Sequence, residues 1–114
     1  MLAMPENSNV EALVENAERA AQLLRSIGSK WRLLVLCQLV KGEKSVGQLE
    51  SIIGLSQSAL SQHLAVLRTA GVIRTRREGK QLLCSLAMPQ VKSACKLIRD
   101  VLRTQIKNRN ALVV

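Results

Sequence analysis

Gly54-Leu55-Ser56-Gln57-Ser58-Ala59-Leu60-Ser61-Gln62-His63-Leu64-Ala65-Val66-Leu67-Arg68-Thr69-Ala70-Gly71 reads as one short helix with a signal at each end. Ser56 is a good N-cap, its hydroxyl able to accept from an orphan backbone N–H of the first turn, and Gly71 stands just past the expected C-terminus. Leu60, Leu64 and Leu67 recur at i, i+4 and i+7 and form a narrow apolar stripe. Ser58, Ser61, Gln62, Ala65 and Arg68 fall on the opposite side. That face is small, polar and rich in groups that both donate and accept. It suits a DNA major groove about 12 Å wide, where Ser and Gln meet base edges or phosphates and Arg meets guanine or phosphate. The same pattern also describes a solvated face that binds nothing, so the flanking sequence has to decide.

Upstream, Ser45 caps a short helix through Val46, Leu49, Ile52 and Ile53, and Gly54-Leu55-Ser56 turns it into the next one. A short helix, a tight Gly-containing turn and a second helix make the helix-turn-helix arrangement, in which the first helix braces the second across the groove. Lys41-Gly42-Glu43-Lys44 reads as a turn. Before it, Ser29 caps a helix whose apolar positions Trp31, Leu34, Val35, Leu39 and Val40 leave only Arg32 and Gln38 clearly polar, which predicts burial on most sides. Val10 to about Ile27 is amphipathic, with Leu13, Ala17, Ala20 or Ala21 and Leu24 on one face and Glu11, Glu15, Glu18, Arg19 and Arg25 away from it. Residues 1–9 are polar, contain Pro5 and have no period, so a flexible start is expected.

Downstream of Gly71 the period becomes that of strands. Val72 to Thr75 and Gln81 to Leu86 flank Arg76-Arg77-Glu78-Gly79-Lys80, a loop with Gly where a hairpin needs a positive φ. Arg74, Arg76, Arg77 and Lys80 make this hairpin a basic wing placed to hold phosphates or the adjacent minor groove. Pro89 opens a last helix with Val91, Cys95, Ile98, Leu102 and Ile106 along one face and Lys92, Lys96, Arg99, Arg103 and Lys107 around the rest. The architecture expected is mainly α with a small β-hairpin, a winged helix-turn-helix domain over 10–108 followed by a flexible end at 109–114. The stripes of the first and last helices find no partner in so small a chain, which points to a two-fold homodimer built through them.

With 114 residues the chain is one domain. Its core is aliphatic by necessity, since 47% of residues are hydrophobic yet there is no Phe, no Tyr and one Trp. The net charge of +9 is unevenly placed: residues 1–55 hold six Lys/Arg against six Asp/Glu, residues 56–114 eleven against two. A polyanion facing the second half is implied, because counterion release rewards Lys/Arg on a phosphate backbone. One His and few carboxylates offer no cluster for catalysis. No stretch approaches the roughly 20 apolar residues of a membrane span and no signal pattern begins the chain, so a soluble cytoplasmic protein is expected. Cys37, Cys84 and Cys95, odd in number and widely spaced, do not form a secreted disulfide framework.

Arg32-Leu33-Leu34-Val35-Leu36-Cys37, Ser45-Val46-Gly47-Gln48-Leu49, Leu55 to Leu64, Leu67-Arg68, Gly71-Val72-Ile73 and Arg76 to Lys80 together resemble the ArsR/SmtB family of bacterial winged-helix repressors over about residues 12–105. The resemblance implies a homodimer on double-stranded operator DNA, released when a metal, a thiol oxidant or a sulfur species reaches a regulatory site. It maps Gln57, Ser58, Ser61, Gln62 and His63 onto the DNA-reading helix and Arg76, Arg77 and Lys80 onto the wing; Ser56, Arg68 and Arg74 complete the candidate surface. The Cys-x-Cys pair or Asp/His ligands of the metal-sensing branch are absent here, so neither metal nor cofactor is implied. Cys37 occupies the thiol position of the redox and sulfur branch, whose second Cys would fall near Arg103. Cys95, with Lys92, Lys96 and Arg99 around it, is a candidate reactive thiolate, and Cys84, in phase with Leu82 and Leu86, is a packed one. Sequence-independent architectural binding of nucleic acid, or a repressor with no working sensor, remain the alternatives.

Overall fold

The computed structural model describes residues 10–113. The stretch 1–9, expected to be flexible, lies outside them. Eight elements follow in order: α1 (Val10–Ile27), α2 (Lys30–Val40), β1 (Lys44–Ser45), α3 (Val46–Ile53), α4 (Gln57–Thr69), β2 (Ile73–Glu78), β3 (Gln81–Leu86) and α5 (Gln90–Val113). The strands form one antiparallel sheet in the order β1-β3-β2. The fold is mainly α, a winged helix-turn-helix.

The helix starts are set by hydroxyls. Ser56 accepts from the Ala59 N–H at 3.2 Å and Ser29 from the Arg32 N–H at 3.5 Å. At α3, Ser45 accepts from the Gln48 N–H at 3.1 Å while the Gln48 side-chain oxygen accepts from the Ser45 N–H at 2.8 Å, a closed capping box. Between α3 and α4 the chain reverses at Gly54, whose φ of 81° is left-handed and available to glycine without a Cβ clash.

The core is one aliphatic cluster: Val35, Leu36 and Leu39 from α2, Leu49 from α3, Leu60, Leu64 and Leu67 from α4, Val72, Ile73 and Cys84 from the wing, and Val91 from α5. The leucine stripe of α4 is thus buried as its period requires. In α2, however, Leu34 and Cys37 are exposed, so the helix keeps an open face where burial on most sides was expected. Only Leu23 and Ile27 of α1 pack against the cluster, at its last turn; Leu24, placed on the core stripe by its period, is 68% exposed. On α5, Ile98, Leu102 and Ile106 are uncovered, as are Leu97 and Val101 on another side of that helix.

Three boundaries depart from the sequence reading. Lys44-Ser45 forms a third strand, pairing with Cys84 and Leu83, where the sequence reading had Lys44 in a turn; Ser45 caps α3 as expected. A two-residue pairing is too short to leave a period. β2 runs on to Glu78, three residues past Thr75, because Arg76, Arg77 and Glu78 pair with Leu83, Leu82 and Gln81. The connection shrinks to Gly79-Lys80, with Gly79 at φ 61° as a primed two-residue hairpin demands. Finally, α5 continues to Val113 instead of ending near 108.

Because the fully buried Leu60 anchors α4 in this cluster, Leu60→Ala should destabilise the protein by about 2–5 kcal/mol, whereas Val66→Ala on the exposed side of the same helix should cost under about 0.5 kcal/mol. Urea unfolding at one fixed protein concentration measures both.

Candidate nucleic-acid interface and thiol pair

Burial of Leu60, Leu64 and Leu67 fixes the roll of α4, and the opposite face carries Gln57, Ser58, Ser61, Gln62 and Arg68, all exposed. Ser56 is exposed at the helix start, its hydroxyl engaged with the first turn. His63 does not join this face. It is half-buried, with Nδ1 at 3.1 Å from Arg32 Nη1, and since a guanidinium only donates, Nδ1 accepts and the ring proton belongs on Nε2. Arg32 in turn donates through Nε to the Ser26 carbonyl at 2.5 Å and through Nη2 to the Arg25 carbonyl at 3.2 Å. His63, read from the sequence as a DNA contact, therefore ties α4 to the C-terminus of α1.

The wing divides its cations by strand parity. Alternate residues of a strand face opposite sides of the sheet, so Thr75 and Arg77 turn towards α4 while Arg74 and Arg76 turn away. Arg76 Nη2 and Nε donate to the two carboxylate oxygens of Glu43 at 2.7 and 3.1 Å, and Nη1 donates to Glu78 at 2.9 Å. Arg74 reaches back to the Ala87 carbonyl at 3.5 Å. Both had been counted as phosphate-gripping residues; the register assigns them instead to the back of the wing. The Arg76 guanidinium holds the Glu43 carboxyl below the usual carboxylate range, chiefly through its hydrogen bonds.

Between α3, α4 and the wing lies a cleft of about 500 Å³ into which Gln57, Ser61, Arg68, Arg77 and Lys80 converge. The only ion pairs among the described residues are those of Arg76, so Arg68, Arg77 and Lys80 face the cleft without a carboxylate partner. An anionic backbone fits such a lining. Glu50, Thr75 and Gln81 line the cleft as well and were missed from the sequence. Strand parity beside Arg77 could have found Thr75; nothing in the local pattern marked Glu50.

A second arrangement lies across the molecule. Cys37 on α2 and Cys95 on α5, both free cysteines, line one groove between those helices. Cys37 is exposed and Cys95 half-buried. The expectation of a thiolate-prone Cys95 is overturned: burial pushes its thiol up first, the adjacent Cys37 pushes it further, and Arg99 opposes them only weakly. Cys84 is buried, as its phase implied, and burial raises its thiol too. Among the described residues no three His, Cys, Asp or Glu side chains are grouped to hold a metal ion, and no helix is long and apolar enough to cross a membrane.

Comparison with known proteins places this geometry. Residues 29–75, from the α2 cap into β2, match the family model for bacterial regulatory proteins of the arsR family. The chain is 41% identical over 90 residues to the transcriptional activator HlyU of Vibrio cholerae, covering 79% of this chain and 83% of that one. To the biofilm growth-associated repressor of Xylella fastidiosa it is 38% identical over 97 residues, covering 85% of each. The solved structure of reduced HlyU from V. cholerae is similar with a TM-score of 0.74 at 39% identity, over 81% of this chain and 97% of that one.

Division of the wing by parity separates two arginines one residue apart. Arg77→Ala should weaken DNA binding and flatten its salt dependence by about one phosphate contact, a change of roughly 0.9 in the log–log slope, whereas Arg76→Ala should leave the slope within error. Titrations at several salt concentrations decide this. The Glu43 carboxyl should titrate below the ordinary Glu range; the ion pair it makes is then complete above that range and lost as pH falls through and beneath it. Carboxyl NMR against pH, with Arg76→Ala restoring an ordinary titration, is the check.

Proposed function

The chain belongs to the arsR family of bacterial regulatory proteins, as a DNA-binding transcriptional regulator and not an enzyme, and from that premise we propose that it is a homodimeric, sequence-specific repressor released by oxidation or sulfur transfer at the Cys37–Cys95 pair. The observation that carries the switch is that two thiols from α2 and α5, far apart in sequence, line the same groove. One is exposed, as an attacking thiol must be. Loss of two electrons and two protons from the pair closes a disulfide; a sulfur donor leaves a longer sulfur bridge instead.

Several features support the homodimer. α1 has no buried residue and α5 leaves Leu97 and Val101 uncovered on the side away from the thiols, so both helices carry apolar surface suited to a second copy. In a two-fold dimer the two α4 faces enter successive major grooves, whose spacing of about 34–36 Å tolerates little change. A bridge between α2 and α5 acts on one of the interface helices and so alters that spacing. The related HlyU is named an activator and the Xylella protein a repressor; repression is favoured here because a dimer covering operator DNA blocks a promoter without any further surface.

In solution the protein should scatter light as a dimer at micromolar concentration; a well-folded monomer with tight operator binding would refute the assembly. Gln62→Ala should lower discrimination between operator and random DNA by about 1–3 kcal/mol if a bidentate base contact is lost. Wild type should lose operator affinity reversibly after peroxide or polysulfide treatment while Cys37→Ser and Cys95→Ser do not. Equal affinities before and after treatment in all three would show that the thiols only pack.

A further inference from the structure

The two thiols line a groove of about 500 Å³ between α2 and α5. Its walls are aliphatic: Leu33 and Val40 from α2, Ile98, Leu102 and Ile106 from α5. Its charged members are all cations. Lys41 lies one helical turn beyond Cys37, Arg99 one turn beyond Cys95, and Arg103 a further turn on, about 11–12 Å along the axis from Cys95. Arg103 is also the position near which the resemblance would place a second thiol, so this chain presents a guanidinium there.

Resting on the thiol-switch reading above, we infer that this groove receives a long-chain fatty-acid hydroperoxide, with the acyl chain on the aliphatic walls, the carboxylate at Arg99 and Arg103, and the hydroperoxide at Cys37. Volume and lining are those of a small-ligand site, mostly apolar with a few placed polar groups. Cationic side chains within an otherwise aliphatic groove select an amphipathic anion over a neutral lipid and over hydrogen peroxide, which has nothing to bury. A separation of two turns between Arg103 and the thiols fits an oxidant whose peroxide lies far from its carboxylate. Leu97 and Val101, uncovered on another side of α5, leave a second copy a surface that does not need this groove.

The chemistry balances. The Cys37 thiolate attacks the terminal peroxide oxygen, the O–O bond breaks, and the lipid alkoxide takes a proton and leaves as the alcohol. Cys37 is then a sulfenic acid. The Cys95 sulfur attacks the Cys37 sulfur, the S–S bond forms, and the hydroxyl departs as water with the Cys95 proton. Two thiols have lost two electrons and two protons, and one hydroperoxide has become one alcohol and one water.

The test uses the reduced full chain, with linoleic acid hydroperoxide below its micelle concentration, its methyl ester, and hydrogen peroxide, reading the Cys37–Cys95 cross-link by mass after alkylation. The acid should reach half cross-linking at a concentration at least tenfold below either of the others, and Arg99→Ala with Arg103→Ala should bring the acid to the level of the ester. The comparison of acid with ester is made on wild type, so it stands even if the double variant folds poorly. Equal potency of the three oxidants would overturn the groove's selectivity and leave the thiol switch intact. Reaction with hydrogen peroxide alone would also overturn it, by showing the groove covered by a second copy. No cross-link with any oxidant would refute this inference and the switch together.

Discussion

Burial of Leu60, Leu64 and Leu67 in one cluster with Leu36, Leu49 and Val72 holds α4 at a single roll angle, and the rest of the functional surface is referred to that angle. With no Phe or Tyr available, the cluster is made of branched aliphatic residues whose fit depends on close interdigitation and not on ring stacking. Val72, Ile73 and Cys84 belong to the same cluster, so the wing is seated on the leucines that orient the helix beside it. Helix and wing consequently present one cleft with a common reference.

Within that cleft the sign of the charge is arranged by the pleat. Consecutive strand residues point apart, and the two arginines at 76 and 77 end in opposite environments: one faces the open cleft, the other is clasped by Glu43 and Glu78. The clasp joins the wing to the segment just before β1 and α3. An exposed ion pair contributes little to stability by itself; its bidentate geometry instead fixes the direction of the Arg76 side chain along the back of the wing.

Much of this was legible from the chain. The cap at Ser56, the glycine at 54 and the leucine period located the helix-turn-helix to within a residue, since each is a local signal with a local cause. The wing cations were found but not sorted, because a charge count carries no parity until the strand's end is known. Two further residues that the period could not place were Leu24 and Leu34: an uncovered apolar face and a covered one look alike in sequence when the partner element is distant. A pairing of Cys37 with Cys95 was open in the sequence as one possible rearrangement and not singled out, because it depends on how α5 crosses α2, which no local pattern encodes. Basic neighbours had suggested a thiolate at Cys95, yet burial beside a second thiol prevails over the one cation, Arg99, that opposes it.

Arg32 hydrogen-bonds both the end of α1 and the flank of α4. Its three nitrogens are committed at once, two to carbonyls of the Arg25–Ser26 turn and one to the His63 ring, so the guanidinium acts as a rigid bracket between a helix that carries exposed apolar surface and the helix that faces the cleft. Mechanically this makes the α1–α2 corner stiff in bending. A tilt of α1 would strain these hydrogen bonds and bear on the flank of α4 through one planar group. Lysine, with the same charge and a single nitrogen, would retain the electrostatics and lose the stiffness.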